Sequence, residues 1–261
     1  MLDTVTYRNE EVIKLAEKFI SVKVNGKVDT VLSRTFGIAG YPTVVLTRAD
    51  GSEIDRVFGY QPPEEFIQTI NDYLVDKNTL ADYLRKADTT VSLPLYATIA
   101  DKYTGRSMYD KAEEYYRKIL QEDPANKQGY SDSALYNLGQ MKTRAKDYTG
   151  ALEILDKLPA TYPESDLADD AVYYRGITLR RADRFDDAIA ALTAFMEKYP
   201  SSDLIADAEI YIAYCYGLKK DYPQAISRFE KFLVDHPDHG DSTWAKEQIV
   251  ELKKKMEGSS E

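Results

Sequence analysis

Apolar and small residues between positions 93 and 238 follow one pattern that occurs four times. Each copy ends on a proline, and an alanine stands twelve residues before that proline. An aromatic residue precedes the alanine by three positions, apolar residues follow it by four and seven, and a small residue precedes it by twelve. From small residue to proline, the copies are Ala100-Tyr109-Ala112-Tyr116-Ile119-Pro124, Gly139-Tyr148-Ala151-Leu155-Leu158-Pro163, Gly176-Phe185-Ala188-Leu192-Phe195-Pro200 and Ala213-Tyr222-Ala225-Phe229-Phe232-Pro237.

This pattern is typical of two helices packed as a hairpin. Positions four and seven apart lie on one side of a helix, so the apolar pair forms a ridge that faces the partner helix. The small residue and the alanine let the two helices approach closely, and the proline ends the second helix because it lacks an N–H. The sequence therefore predicts four helical hairpins, followed by a capping helix from Asp241 to Met256.

At these columns the chain resembles the tetratricopeptide repeat (TPR), although the copies are 37 to 39 residues long and the usual repeat has about 34. Residues 199–208 also look like the repeats of bacterial cell-envelope assembly proteins. The resemblance implies a mainly α fold, a helical-hairpin solenoid of four hairpins and a capping helix at residues 93–256. We expect a bridging helix or linker at residues 77–92, with Leu80, Tyr83 and Leu84 as its contacts, and a disordered tail at residues 257–261.

Residues 1–76 show a different order of patterns, in which helices alternate with strands. A helix with one apolar side is predicted at residues 10–19, and the alternation of Ile20, Val22 and Val24 with polar residues predicts a half-buried strand. The remaining predicted elements are a short helix at 29–36, a strand at 43–46 buried on both faces, a strand at 54–58 after an Asp50-Gly51 turn, and a helix after Gln61 that buries Phe66, Ile70, Tyr73 and Leu74.

This order resembles the second half of the thioredoxin fold, and implies an incomplete thioredoxin-like α/β segment at residues 1–76. The loop of Tyr41, Pro42 and Thr43 resembles the family's cis-proline loop, which holds a substrate peptide; the alternative is a structural turn before a buried strand. The family's Cys-x-x-Cys motif is absent, because Cys215 is the single cysteine of the chain. Thiol–disulfide exchange needs an attacking and a resolving thiol, which this chain does not have. Either the native protein starts upstream of Met1, or the segment is a redox-inactive remnant.

Composition limits the classes of partner. The 261 residues carry a net charge of −10, which repels phosphate backbones, so we expect neither nucleic acid nor anionic membrane surfaces as partners. No apolar run approaches the roughly 18 residues that span a bilayer, and the charged first twenty residues do not fit a secretory signal. A cytoplasmic location follows if Met1 is the true start, whereas an upstream start leaves the periplasm or cell envelope open.

Candidate chemistry is sparse. Cys215 stands among tyrosines in a repeat helix, which favours a buried structural thiol over a nucleophile. His236 and His239 are the two histidines of the chain, and two ligands on one loop do not make a metal site. The acidic pair Asp169-Asp170 lies in a first helical turn, where it complements the helix dipole. We therefore predict no catalytic residues, no cofactor and no metal.

The resemblance to TPR proteins implies that the inner face of each first helix lines a concave groove. Carried onto this sequence, that face consists of Tyr136, Asn137, Gln140, Arg144, Tyr173, Tyr174, Ile177, Arg180, Arg181, Tyr211 and Tyr214. Tyrosines beside adjacent arginines suit an extended peptide that carries acids or a C-terminal carboxylate. The alternative is a surface that merely tolerates tyrosine.

Three functions remain open at this point. The first is a protein-interaction scaffold that binds a peptide or protein in the groove and is redox-inactive as numbered. The second is a truncated thiol-disulfide oxidoreductase or redox chaperone whose upstream residues carry Cys-x-x-Cys. The third is a purely structural envelope component. Exposed strand edges in residues 19–58 also favour self-association through the N-terminal segment.

Overall fold

The computed structural model describes residues 2–26 and 28–258, and helices predominate in it. The chain divides into two compact units, one ending at Pro124 and one beginning at Ala125. The mainly α class with helical hairpins and a small thioredoxin-like α/β segment is confirmed. The predicted domain boundaries near residues 76 and 92 stay predictions. The prediction of a disordered tail at residues 257–261 is wrong for residues 257 and 258, which belong to the last helix, and its residues 259–261 lie outside the described residues.

The first unit contains eight regular elements after a short 3-10 helix at Thr6–Arg8. They are α1 (Glu10–Ala16), α2 (Thr30–Thr35), β1 (Thr43–Thr47), β2 (Glu53–Phe58), α3 (Pro63–Leu74), α4 (Leu80–Ala87), α5 (Leu93–Thr104) and α6 (Tyr109–Glu122). Local chemistry sets several helix starts, because the side chains of Asn9, Asp29 and Thr79 accept backbone N–H bonds at the first turns of α1, α2 and α4. These helices lie where the sequence predicts them.

The sheet of this unit is a single antiparallel pair, with Thr43 opposite Phe58. Its core comes from α1, both strands and α3, through Val12, Leu15, Leu46, Val57, Phe66, Ile70 and Tyr73. The prediction that β1 is buried on both faces is wrong, since Leu46 is its one buried residue. Within the described residues β1 has a strand on one side only, so part of its surface stays accessible.

Two further expectations for this segment are wrong. Residues 20–24 form no strand: Ile20 is 97% exposed and Val22 is 76% exposed. Alternation predicts a strand only where another strand supplies ladder hydrogen bonds, and none of the described residues does so here. Leu74, expected in the core, is 44% exposed because it lies at the last position of α3.

A buried charge cluster connects β2 with α4 and α5. The carboxylate of Asp55 is fully buried and accepts hydrogen bonds from the Leu80 N–H, from Lys102 Nζ at 2.9 Å and from Arg106 at 2.5 Å. Burial raises the pKa of Asp55, but the two cations outweigh it and hold that pKa below its usual value. The connection is therefore ionic, whereas Leu80, which the sequence places among the apolar contacts, contributes a backbone N–H.

The second unit consists of seven helices in sequence. They are α7 (Ser131–Arg144), α8 (Tyr148–Thr161), α9 (Ala168–Arg181), α10 (Phe185–Lys198), α11 (Ile205–Leu218), α12 (Tyr222–Asp235) and α13 (Ser242–Gly258). The predicted hairpins are α5–α6 in the first unit, and α7–α8, α9–α10 and α11–α12 in the second. The capping helix is α13, which packs against α12.

The repeat columns form the interior of the hairpins. Each column alanine is fully buried, and the apolar residues four and seven positions later are at most 1% exposed. The small residue of each copy must be small because another side chain lies against it. A Cβ on Gly139 would lie 2.7 Å from the Leu155 side chain, and one on Gly176 would lie 2.6 Å from the Leu192 side chain. Real Cβ atoms do not approach this closely, so the larger side chain four positions after the alanine fixes the small one.

Each hairpin turn has a residue in the left-handed backbone conformation at the same position. Ser107, Lys146, Asp183 and Lys220 have φ between 54° and 66° and lie at matching positions of the four copies. The following N–H donates to the carbonyl five residues earlier, as in Asp147 to Lys142 at 2.9 Å. No residue type is common to this position, so the sequence pattern does not reveal it.

Two serines connect successive repeats, and each lies about one turn before the start of a helix, α9 or α11. Ser165 Oγ accepts the Leu167 N–H and donates to Asp132 Oδ2 at 2.7 Å. Ser202 makes the equivalent bond to Asp169 Oδ2 at 2.6 Å. Each serine therefore links the start of one hairpin to the first helix of the preceding hairpin.

Candidate functional site

Helices α7, α9 and α11 lie side by side and run in the same direction. The ring of Tyr136 packs edge-on against Tyr174 at 6.1 Å, and further along both helices Thr143 Oγ1 lies 2.9 Å from Thr178 Oγ1. Residues later in α7 thus meet residues later in α9, as parallel helices require. The contact of Tyr173 with Tyr211 at 6.3 Å continues this arrangement to α11.

The face made by these helices contains the predicted groove residues in three different environments. Arg144 and Arg181 are exposed. Ile177 is 4% exposed and so offers almost no surface. The other predicted residues are half-buried: Tyr136, Asn137, Gln140, Tyr173, Tyr174, Arg180, Tyr211 and Tyr214. Tyr173 also packs on Phe195 at 5.7 Å, so its ring belongs to the hairpin core as much as to the face.

Arg180, near the end of α9, contacts two tyrosines of α11. Its guanidinium carbon is 5.4 Å from the ring centre of Tyr211 and 5.7 Å from that of Tyr214. Such cation–π contacts stabilise the charge by about 0.5–2 kcal/mol. Its Nε is buried without a hydrogen-bond partner among the residues that the structure describes. A buried donor left in this state costs free energy, which an acceptor on a bound molecule would recover.

Arg144 and Arg181 share the end of the face with Arg180. None of the three arginines forms an ion pair with any described acid. By contrast, Arg175 pairs with Asp156 at 2.8 Å and Arg184 with Asp187 at 2.7 Å. In a chain with 44 acidic residues and a net charge of −10, three neighbouring unpaired arginines are unexpected. We name Arg144, Arg180 and Arg181 the arginine edge.

The opposite end of the same helices carries two acids, Asp170 and Asp207. Both are half-buried, and neither forms an ion pair with a described residue. Burial raises the pKa of each above its usual value, and the charge of Asp169 raises that of Asp170 further. Burial, followed by the charge of Asp170, raises the pKa of Tyr136 to about 12, so this tyrosine is neutral at physiological pH. We name Asp170 and Asp207 the acidic edge.

A small cavity adjoins the face at its C-terminal side. It has a volume of about 240 Å³ and lies between α11, α12 and the capping helix. Tyr214 lines it together with Trp244, and the two rings are 5.5 Å apart. Tyr214 therefore separates the arginine edge from this cavity.

The loop at Tyr41 belongs to the first unit. The Tyr41–Pro42 peptide bond is cis, and the Pro42 carbonyl accepts the Gly59 N–H at 2.9 Å. The Tyr41 side chain is 58% exposed, with its hydroxyl 3.2 Å from Ser33 Oγ. Thr43 Oγ1 donates to the Gly40 carbonyl at 2.7 Å, which fixes the start of β1.

The remaining candidate residues lie apart from the face. Cys215 is fully buried, and burial raises the pKa of its thiol to about 11. His236 contacts Glu209 at 2.9 Å, while His239 lies 4.0 Å from Asp241. Within the described residues no three histidine, cysteine or acidic side chains are grouped as a metal site would need. None of the described helices has the length and apolar character that crossing a membrane requires.

Sequence reasoning identified the tyrosines and arginines of the face but did not include the acidic edge. Asp170, Tyr174, Ile177 and Arg181 follow the spacing of one helical stripe, so periodicity could have placed Asp170 with the others. Asp170 lies in a first helical turn and was therefore interpreted as a partner of the helix dipole instead.

Sequence models of known families match three parts of the chain. A thioredoxin-like domain matches residues 4–74, a tetratricopeptide repeat matches residues 104–172, and an outer membrane lipoprotein model (YfiO) matches residues 167–246. No curated protein matches the sequence. The thioredoxin-like match thus precedes the tetratricopeptide-repeat match along the chain.

Solved structures of similar fold include BtubC (BKLC) from P. vanneervenii, with a TM-score of 0.53 and 16% identity, over 67% of this chain and 79% of that chain. YrrB, described as a TPR protein with an unusual peptide-binding site, has a TM-score of 0.47 and 20% identity, over 70% of this chain and 88% of that chain. A MamA fragment from Desulfovibrio magneticus RS-1 has a TM-score of 0.45 and 19% identity, over 62% and 96%. At such identities the BtubC match shows the fold alone. Together with the family matches, the buried repeat columns show that the chain carries tetratricopeptide-type repeats, preceded by a partial thioredoxin-like domain.

Proposed function

We propose that this chain is a protein-interaction scaffold that binds an extended segment of a partner protein on the face of α7, α9 and α11. The observation that carries the proposal is the arginine edge. Three neighbouring guanidinium groups have no acidic partner among the described residues, although the chain as a whole is strongly acidic. An acidic side chain or a C-terminal carboxylate of the partner would supply the missing acceptors.

The chemistry of the face suits this kind of ligand. Arginine donates in a planar fork that matches a carboxylate with two parallel hydrogen bonds, and such charge-assisted bonds are about twice as strong as neutral ones. The tyrosines beside it offer large contact areas at low entropic cost. Because the rest of the chain is acidic, acidic segments are repelled elsewhere, which favours this one face.

The proposal includes inactivity in dithiol exchange for the chain as numbered. Exchange passes through an attacking thiolate and a resolving thiol, and Cys215 is the single cysteine. Its raised pKa and complete burial also disfavour a thiolate.

A random dodecapeptide library tests the binding proposal without knowledge of the natural partner. We expect the wild-type protein to enrich peptides rich in Asp and Glu. The variant Arg144→Glu with Arg181→Glu should bind the selected peptides at least about tenfold more weakly, since each lost charge pair is expected to contribute about 1 kcal/mol or more. Both side chains are exposed, so this variant should keep the fold, whereas replacing Tyr173 would disturb the core beside Phe195.

The matched control is Lys157→Glu with Lys198→Glu, which makes the same charge change at exposed positions of α8 and α10, the second helices of their hairpins. It should retain binding. Circular dichroism and Trp244 fluorescence check that all variants are folded. Equal affinity of wild type and the double variant for the selected acidic peptides would refute the proposal.

A further inference from the structure

The cavity between α11, α12 and α13 lies next to the arginine edge and is lined by Tyr214, Leu218 and Trp244, among others. We infer, on the basis of the proposed function, that the segment held by the arginine edge inserts one apolar side chain, aliphatic or aromatic, into this cavity. The partner would then carry an apolar residue close to its acidic group.

Helix α13 extends the candidate face beyond α11. The ring of Tyr214 packs edge-on against Trp244, in the first turn of α13, at 5.5 Å. Further along both helices, a Cβ on Gly217 would lie 3.4 Å from the Leu252 side chain. Later residues of α11 thus meet later residues of α13, so the two helices run in the same direction. The face of α7, α9 and α11 therefore continues onto α13, with the cavity at the junction.

One column of this face changes from charged to apolar beside the arginine edge. Residues spaced 37 apart occupy the same position in α7, α9, α11 and α13, and they are Arg144, Arg181, Leu218 and Lys255. Leu218 is 37% exposed, so it presents an apolar surface next to two cations. The last cation, Lys255, pairs with Glu251 at 2.6 Å, and both residues line the cavity. Because these two charges neutralise each other, the cavity favours an uncharged occupant.

The size and the walls of the cavity fit an apolar side chain. Its volume is about 240 Å³, whereas an apolar cavity of about 150 Å³ already holds a benzene ring. Phe229 is fully buried and lies beneath Trp244, with their ring centres 5.7 Å apart. Aromatic walls of this kind are typical of pockets that take the anchoring side chain of a partner.

The cavity is close enough to the arginine edge for one segment to reach both. The guanidinium carbon of Arg180 lies 5.7 Å from the ring centre of Tyr214, which lies 5.5 Å from that of Trp244. The guanidinium is thus at most about 11 Å from the Trp244 ring, a span that about three residues of an extended chain cover. This separation fits an apolar residue on either side of the acidic one, so the segment can run in either direction.

A peptide library tests the inference. Dodecapeptides carry Glu at positions six and seven, and their other positions are random among all residues except Trp and Cys. Wild-type protein should enrich Leu, Ile, Met or Phe within three residues of the Glu pair, at least about fivefold over the input library. Leu218→Gln replaces an apolar wall of the cavity by an amide. This variant should still prefer the Glu library over one with Gln at both fixed positions, but it should lose the apolar enrichment.

The matched control is Val234→Gln, which makes the same kind of change at an exposed position of α12 outside the cavity and should keep the enrichment. Fluorescence of Trp244, the single tryptophan, reports directly on the cavity. A selected peptide should shift this emission to shorter wavelength, because its apolar side chain displaces water from the indole. The same peptide with that residue replaced by Ser should bind about tenfold more weakly, as the loss of one buried apolar side chain predicts, and give no shift.

The outcomes separate this inference from the proposed function. If wild type prefers the Glu library but enriches no apolar residue, or if Leu218→Gln keeps the enrichment, the inference is overturned while the proposed function stands. A self-associated state that sedimentation detects in wild type and not in Leu218→Gln, without apolar enrichment, would assign the cavity to a second copy and also overturn it. If wild type and the Arg144→Glu, Arg181→Glu variant bind the Glu library equally, the proposed function itself is wrong.

Discussion

Replacement of Asp55 by asparagine should destabilise the first unit far more than any surface substitution. The carboxylate is fully buried and lies within hydrogen-bond distance of Lys102 Nζ, Arg106 and the Leu80 N–H. After the substitution Arg106 still contacts Glu53 at 2.8 Å. Lys102, whose side chain is 14% exposed, loses its ion pair and keeps the Tyr73 hydroxyl at 3.1 Å and the faces of the Tyr73 and Tyr83 rings.

The expected cost is that of leaving a buried cation without its counter-charge. Breaking a buried ion pair from one side typically costs about 3–5 kcal/mol, a large part of the 5–15 kcal/mol that stabilises a typical domain. Because about 1.4 kcal/mol corresponds to a factor of ten, amide exchange in β1 and β2 should accelerate between about a hundredfold and several thousandfold.

Hydrogen exchange followed by mass spectrometry measures this effect locally. Peptides covering residues 43–58 and 93–106 report on the first unit, while fluorescence of Trp244, the single tryptophan, reports on the second. Glu65→Gln, an exposed acid in α3, is the control and should change exchange little. Adding Lys102→Met to Asp55→Asn should recover part of the protection, since it removes the unpaired cation. An acceleration below tenfold in Asp55→Asn would refute the argument.

Three other results should follow from the structure. The pKa of Asp55 is lower in the folded state than in the unfolded state. The contribution of Asp55 to the free energy of unfolding should therefore be complete above the unfolded pKa of about 3.9 and be lost as pH falls through the folded pKa. Urea titrations between pH 7 and pH 2 measure this loss. Gly176→Ala should cost about 1–3 kcal/mol in urea unfolding followed by Trp244, whereas Gly217→Ala, whose added Cβ would lie 3.4 Å from the nearest side chain, should cost less; equal losses would contradict the packing argument. Cys215 should react with a thiol reagent at pH 8 only after denaturation, and rapid labelling of the native protein would show that the thiol is accessible.

The hairpins are the part of the fold that the sequence determines most directly. Spacings of three, four and seven residues fix which side chains share a helix face, and this relation needs no knowledge of distant residues. Ala188, Leu192 and Phe195 accordingly occupy the interior positions that their spacing indicates. The small residues were also correctly placed, since Gly176 meets Leu192 as the close approach of two helices requires.

The sequence determined the strands less directly than the helices, because strand pairing depends on residues that are far apart in the sequence. Ile20 and Val22 have the alternation of a strand, yet no described residue pairs with them and they are exposed. For β1 an apolar run indicated burial on both faces, but a single neighbouring strand leaves Val44 and Val45 half-buried. Periodicity reports the preference of a segment, and the presence of a partner decides the outcome.

The candidate face shows the same division. Spacing along each helix was enough to group Tyr174 with Arg181, because both lie on one stripe. The sequence could not show that Ile177 is buried or that the arginine edge lacks acidic partners, since both depend on which residues of other helices come near. Asp55 is the clearest case: in the sequence it is one acid in a short strand, and only the tertiary structure places two cations beside it and makes it the centre of a buried cluster. Helical periodicity is local and can be read from the chain, whereas the burial and pairing of charges are non-local and are decided by the fold.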